Sequence, residues 1–346
     1  MRKIVIIILL MAVMVMPVQA VDLNAPTAPE DAQELLSGGT GSFGKDLWIV
    51  VTRALAQFQP ELAEAVLSCT SIFSVALVVS VLKNLPGKSA QIADFAGVLA
   101  VSLILLQRTD SLIHLAADTV TELSEYGKLL LPVMTAALAS QGGLTASTAL
   151  YTGTAVFDAV LSSAVAKLLV PMVYIFLALS IGFAASDQRI LGKLRDLIQW
   201  LVTWCLKMVV YIFTGFMGIT GVVSGATDAA TVKAAKLTMS GMVPVIGGIL
   251  SDATESVLVG AGVVKSAVGV YGLLALIAIW ITPFLQLGVQ YLLLKLTAAL
   301  CELFDTKGVN TLVRSFASAM GLLLGMTGTV CVLLVISTVC FMKGVA

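Results

Sequence analysis

One histidine, His114, stands in a chain of 346 residues, so a metal centre or a serine–histidine–aspartate triad would have to be built around that single imidazole. It lies among Asp110, Asp118 and Glu122 on a polar helical face, where a solvated side chain is the simpler reading. Charge is scarce too: Asp, Glu, Lys and Arg make up 12% of the chain, about half the share of an ordinary soluble domain. The 20 basic and 20 acidic residues cancel, which removes the electrostatic footprint of a nucleic-acid partner. Five cysteines, Cys69, Cys205, Cys301, Cys331 and Cys340, lack Cys-x-x-Cys or Cys/His spacing and read as small buried hydrophobes. The complete Gly-x-x-x-x-Gly-Lys-Ser/Thr phosphate loop does not occur, and no nucleophile, base and orienting group recur at workable spacing. Neither an enzyme nor a cofactor is expected, and any ATP-driven step belongs to a partner.

What is abundant is apolar: 59% of the residues are hydrophobic, the composition of a polytopic, all-helical membrane bundle in contact with lipid. Arg2 and Lys3 precede a continuous apolar run that ends in Val18-Gln19-Ala20, which predicts a signal peptide over 1–20, with an uncleaved anchor helix as the alternative. A polar extracytoplasmic segment follows over 21–64, with an amphipathic piece around Leu47 to Leu62. Runs long enough to span fall near 65–82, 91–107, 155–185, 197–223, 266–300 and 317–342. Between them, 110–128 carries Leu112, Ile113, Ala116, Val120, Leu123 and Tyr126 at helical spacing opposite charged residues, which predicts a helix lying in the interface. The region 65–128 is thus two spans and an interfacial helix. The positive-inside rule puts Lys83, Arg195 and Lys307 in the cytoplasm if 129–150 dips into the membrane and returns.

Two interrupted segments stand out, LLLPVMTAALASQGG at 129–143 and GMVPVIGGIL at 241–250. Aligning Pro132 with Pro244 also aligns Pro171 with Pro283, an offset of 112 residues in both pairs. This predicts an internal duplication, 129–238 and 239–346, each half opening on a Pro/Gly-interrupted segment. Such pairs point to a site between repeats, because backbone groups freed by proline survive in a bilayer only when buried in protein or facing water. Pro132, Gly142, Gly143, Pro244, Gly247 and Gly248 are the candidate pore or re-entrant residues, with close helix packing as the other reading. Asp158, Lys167 and Lys207 are candidate intramembrane charges whose partners must come from other helices. Asp158 and Lys167 are nine residues apart, about 13.5 Å along a helix, too far to pair directly.

The stretches EYGKLLLPVMTAALASQGGLTASTALY at 125–151, LLVPMVYIFLALSI, and SGATDAATVKAAKLTMSGMVPVIGGILSDATESVLVGAGVVKSAVGVYG at 224–272 resemble the stage III sporulation protein AE family of endospore-forming bacteria. The resemblance runs from about residue 60 to the C-terminus. It implies a multipass component of the secretion-like transenvelope complex linking mother cell and forespore, in the mother-cell membrane surrounding the forespore. The implied partners are other stage III sporulation A-operon proteins, including a secretion-type ATPase and ring-forming proteins, and through them the forespore protein Q. A permease-like conduit is the leading role; an autonomous secondary transporter and a non-conducting scaffold are the rivals.

Overall fold

The computed structural model describes residues 25–37, 43–83, 89–141, 144–242, 247–304 and 306–343, with the side chains of 89–91, 221–265 and 343 excepted. The signal-peptide segment 1–20 and the candidate residues Gly142, Gly143 and Pro244 lie outside the described residues. The described elements are helices: α1 (Glu30–Leu36), α2 (Phe43–Gln57), α3 (Gln59–Lys83), α4 (Ser89–Ser140), α5 (Leu144–Ala164), a π-helical turn (Val165–Leu169), α6 (Val170–Ser186), α7 (Arg189–Met242), α8 (Gly247–Glu302) and α9 (Lys307–Lys343). Six helical stretches among the described residues are long and apolar enough to cross a membrane.

Length is the first surprise. α4 has 52 residues, about 78 Å of helix against about 30 Å of hydrocarbon. No glycine or proline interrupts 98–126, so the polar piece expected to lie apart in the interface is instead the middle of this rod. Its apolar residues Leu112, Ile113, Ala116, Val120, Leu123 and Tyr126 are all buried in the bundle, which explains their helical spacing. Residues 129–150 likewise form no separate dip: they finish α4, turn, and begin the return along α5.

The N-terminal segment is folded onto the bundle rather than trailing from it. Ala32 and Leu35 give α1 one buried stripe, which Ala28 just ahead of it extends, Val50 and Ala54 give α2 another, and both helices pack on α8. Arg53 ties the two together by donating from Nη1 to the carbonyls of Glu34 and Leu35 at 3.1 Å, capping the free carbonyl end of α1.

α9 is the axis of the molecule. Val309, Leu312, Phe316, Met320, Leu323, Met326, Val330 and Phe341 are fully buried against α4, α6, α7 and α8. Contacts at its two ends fix the register. A Cβ on Gly308 would lie 2.8 Å from Val98 and 3.0 Å from the Ala184 carbonyl, and one on Gly269 would meet Met342 and Met134. The Ala184 carbonyl is backbone and has nowhere to go. Gly308→Val should therefore lower stability by about 1–3 kcal/mol through overpacking, read as a lower unfolding temperature in detergent; an unchanged temperature would mean that α4, α6 and α9 do not approach this closely.

The paired prolines have unlike settings. Pro171 opens α6 behind the π-helical turn, where the Val170 N–H donates to the Val165 carbonyl, one residue further back than in an α-helix. The wider turn accommodates a residue that has no N–H to give. Pro283 sits inside the unbroken α8, and Pro132 inside α4. Of the two aligned pairs, Pro171 and Pro283 thus differ in setting, while Pro244, the partner of Pro132, lies outside the described residues.

Candidate functional site

Polar side chains on α4 recur at steps of about one or two helical turns: Arg108, Ser111, Asp118 beside Thr119, and Glu122. That spacing places them along one side of the helix. Facing them on α8 are Gln290, Gln286, Thr282, Pro283 and Ile279. Two cavities of about 670 and 330 Å³ lie along this seam and share Leu115 and Gln286. α3 closes the larger one with Glu61, Glu64 and Ser68, and α1 roofs the smaller with Asp31 and Glu34. Together they make a polar groove between α4 and α8.

Arg108 organises the larger cavity. Its Nε donates to Gln290 Oε1 at 3.3 Å, its Nη1 to Glu64 Oε2 at 3.1 Å, and its Nη2 to the Glu61 carbonyl at 3.3 Å. One guanidinium thus joins α3, α4 and α8. Glu61 Oε2 lies 3.8 Å from Nη2, so both α3 carboxylates feel the same cation. The smaller cavity has no such centre: Asp31, Glu34, Asp118 and Glu122 line it without a lysine or arginine. A wall of one sign concentrates cations and excludes anions.

Pro283 adds a backbone group to this wall. Proline cannot donate to the carbonyl four residues back, so the Ile279 oxygen loses its helical partner, and Ile279, Thr282 and Pro283 all line the same cavity. An interior proline beside a cavity is the arrangement that the sequence led one to expect at Pro132.

Pro132 itself is on the exposed side of α4, away from the groove. Gly247 and Gly248 open α8, and their surroundings lie outside the described side chains. Asp158 is buried between α5 and α4, where Ser124 Oγ donates to its Oδ2 at 2.6 Å. Lys167, in the π-helical turn, and Lys207, on α7, are both exposed on the outside of this chain. The three charges are thus not brought to one site. Ser124, the partner that Asp158 needed, is on another helix, as its position in an apolar run required. His114 is exposed beside Asp110, 3.9 Å away, and Asp110 also accepts from the Tyr174 hydroxyl at 2.7 Å. No group of three or more His, Cys, Asp or Glu able to hold a metal occurs among the described residues.

At one end of the bundle Lys83 pairs with Asp94 at 3.0 Å, and Lys307 stands with Asp94 and Asp187 around a further cavity. Arg195 lies over the Phe183 ring near the same end and donates to Ser315 on α9. The α4–α5 turn is at the other end.

The sequence profile of stage III sporulation protein AE matches residues 31–344. The chain belongs to the stage III sporulation protein AE family. Within it, the stage III sporulation protein AE of Bacillus subtilis (strain 168) is 24% identical over 190 residues, covering 55% of this chain and 48% of the relative. The aligned part thus spans about half of that relative's length. No solved structure matches the chain. Family membership and six candidate spans make this a multipass membrane protein of sporulation.

The sequence reading missed Arg108, Glu61, Glu64, Gln286 and Gln290. Arg108 closes the apolar run 91–107, where it reads as an ordinary boundary residue, and its partners are 44 and 182 positions away. The signal available was the step from Arg108 through Ser111 and Thr119 to Glu122, a polar stripe continuous with a span.

Proposed function

We propose that this family member is the permease-like core of the mother cell–forespore complex, and that the α4–α8 groove is its water-filled path. The observation that supports this best is the groove itself: charged and amide side chains and a proline-freed carbonyl share one side of two helices otherwise suited to lipid. Its acidic lining favours cationic or polar solutes over anions. The complex supplies what this chain lacks: a secretion-type ATPase for energy, ring-forming proteins for continuity across the second membrane, and protein Q on the forespore side. The mother-cell membrane surrounding the forespore is the corresponding location.

Cysteine accessibility tests the path. With the native cysteines replaced, Ser111→Cys, Asp118→Cys and Gln286→Cys should react with a small water-soluble thiol reagent in intact membranes, while a control at the fully buried Thr154 should not. Modification should also depress forespore gene activity. Labelling without any loss of activity favours the scaffold reading, and no labelling at the three positions removes the path altogether.

The same approach fixes orientation. The end holding Lys83, Arg195 and Lys307 should face the cytoplasm, so an impermeant reagent should label Glu122→Cys from outside and spare Arg195→Cys. Labelling of Arg195→Cys from outside would invert the arrangement.

A further inference from the structure

The contact of α4, α5 and α9 holds a carboxyl group that the groove does not use. Asp158 is 3% exposed; its Oδ2 accepts from Ser124, but its Oδ1 is buried with no hydrogen-bond partner. One turn earlier on α5, the Thr154 hydroxyl is hydrogen-bonded to that of Ser337 on α9, and both residues are fully buried. These hydroxyls are committed to each other, so the site does not assemble the ring of oxygens that a metal ion requires.

Charges nearby do not neutralise Asp158 either. On α4, Glu125 and Lys128 flank Ser124 but are exposed. α9 has no Asp, Glu, Lys, Arg or His between Arg314 and Lys343. α7 meets α5 through Phe213 and Phe216, which pack on Phe157, and its Lys207 is exposed. Lys167 follows α5 nine residues on, also exposed. A carboxylate anion enclosed this way would have one neutral hydroxyl and only the water-screened charge of the exposed Lys128 to offset it, which is more costly than a neutral acid in the same place.

We propose that Asp158 carries a proton in the packed protein and is a proton-exchange site, its occupancy tied to closure of α4 against α5 and α9. With the proton on Oδ1, Oδ2 is a carbonyl oxygen and accepts from Ser124, which is the observed bond. When the contact opens, the O–H bond at Oδ1 breaks, the proton passes to water, and the carboxylate left behind is hydrated. Closing reverses each step. Low pH therefore holds the contact shut, and opening releases a proton. This inference does not depend on the groove being a conduit.

Infrared spectra of the purified full-length protein in detergent at neutral pH test it. The carbonyl stretch of a neutral carboxylic acid should be present, vanish in Asp158→Asn, and move to higher frequency in Ser124→Ala, which removes the donor to Oδ2. Unfolding the wild type at neutral pH should release about one proton more than unfolding Asp158→Asn. Asparagine keeps the shape and the acceptor for Ser124; should it nevertheless misfold, the shifted band in folded Ser124→Ala decides. A wild-type spectrum without the neutral-acid band, a band that Ser124→Ala leaves in place, or equal proton release from folded wild type and Asp158→Asn would each overturn the proposal.

Discussion

Replacing Arg108 with leucine should lower the yield of heat-resistant spores by roughly tenfold or more while costing only about 1–2 kcal/mol of stability. The two effects separate because the partners are not equally buried. The side chains of Glu61 and Glu64 are 44% and 70% exposed, so water rehydrates them once the guanidinium is gone. Gln290 is 3% exposed and loses its donor in the interior. The cost therefore falls short of the 3–5 kcal/mol, approximately, of breaking a fully enclosed ion pair. Function suffers more, because Arg108 is the sole base among the described groove residues and joins three helices around the larger cavity. Arg108→Lys keeps the charge but not the planar fork, and should fall between the two. Spore counts, protein level and unfolding temperature in one strain series read all of this. Normal spore yield from a normally expressed Arg108→Leu would sink the groove as the working part of the molecule.

Pro283→Ala should do the opposite to stability and the same to function. Alanine supplies the N–H that the Ile279 carbonyl lacks and removes the ring clash of an interior proline, a defect of about 3 kcal/mol in a free helix. Neighbours already accommodate part of it in the bundle, so a gain near 1 kcal/mol is the reasonable scale. Closing that bond also engages the one backbone oxygen that Pro283 leaves free in the helix wall formed by Ile279, Thr282 and Gln286. The expected variant is more heat-stable in detergent, accumulates to a normal level in the membrane, and sporulates poorly. A variant that gains stability and sporulates normally would show that the interruption has no part in the path.

Composition alone carried the fold class: a chain so rich in apolar residues, with runs of spanning length, has helices as its economical way of satisfying the backbone in lipid. The spans followed from the same arithmetic. What hydropathy could not convey was continuity. Residues 110–128 are too polar to span, and polarity by itself does not say whether a helix stops or merely leaves the membrane. Only the lack of a breaker between Gly97 and Gly127 says so. Each interior proline denies its helix one N–H, but the sequence could not tell which proline faces polar neighbours. Pro132 is exposed, and Pro283 lines one cavity with Gln286 of its own helix and with Asp118 and Glu122 brought in from α4. Asp158 was recognisable because a carboxyl in an apolar run must find something, whereas Ser124 was one serine among many.

The length of α4 has a mechanical consequence. A stiff rod pivoting near Asp94, where its ion pair with Lys83 anchors it, carries its far part through a large arc: tilting the roughly 57 Å up to Pro132 by about 10° moves that point by about 10 Å. Sub-ångström slippage of one helix past another near that anchor is thereby amplified at the corner where α4 gives way to α5. Motion at one face of the membrane is thus felt far from it, with no helix breaker between Val98 and Tyr126.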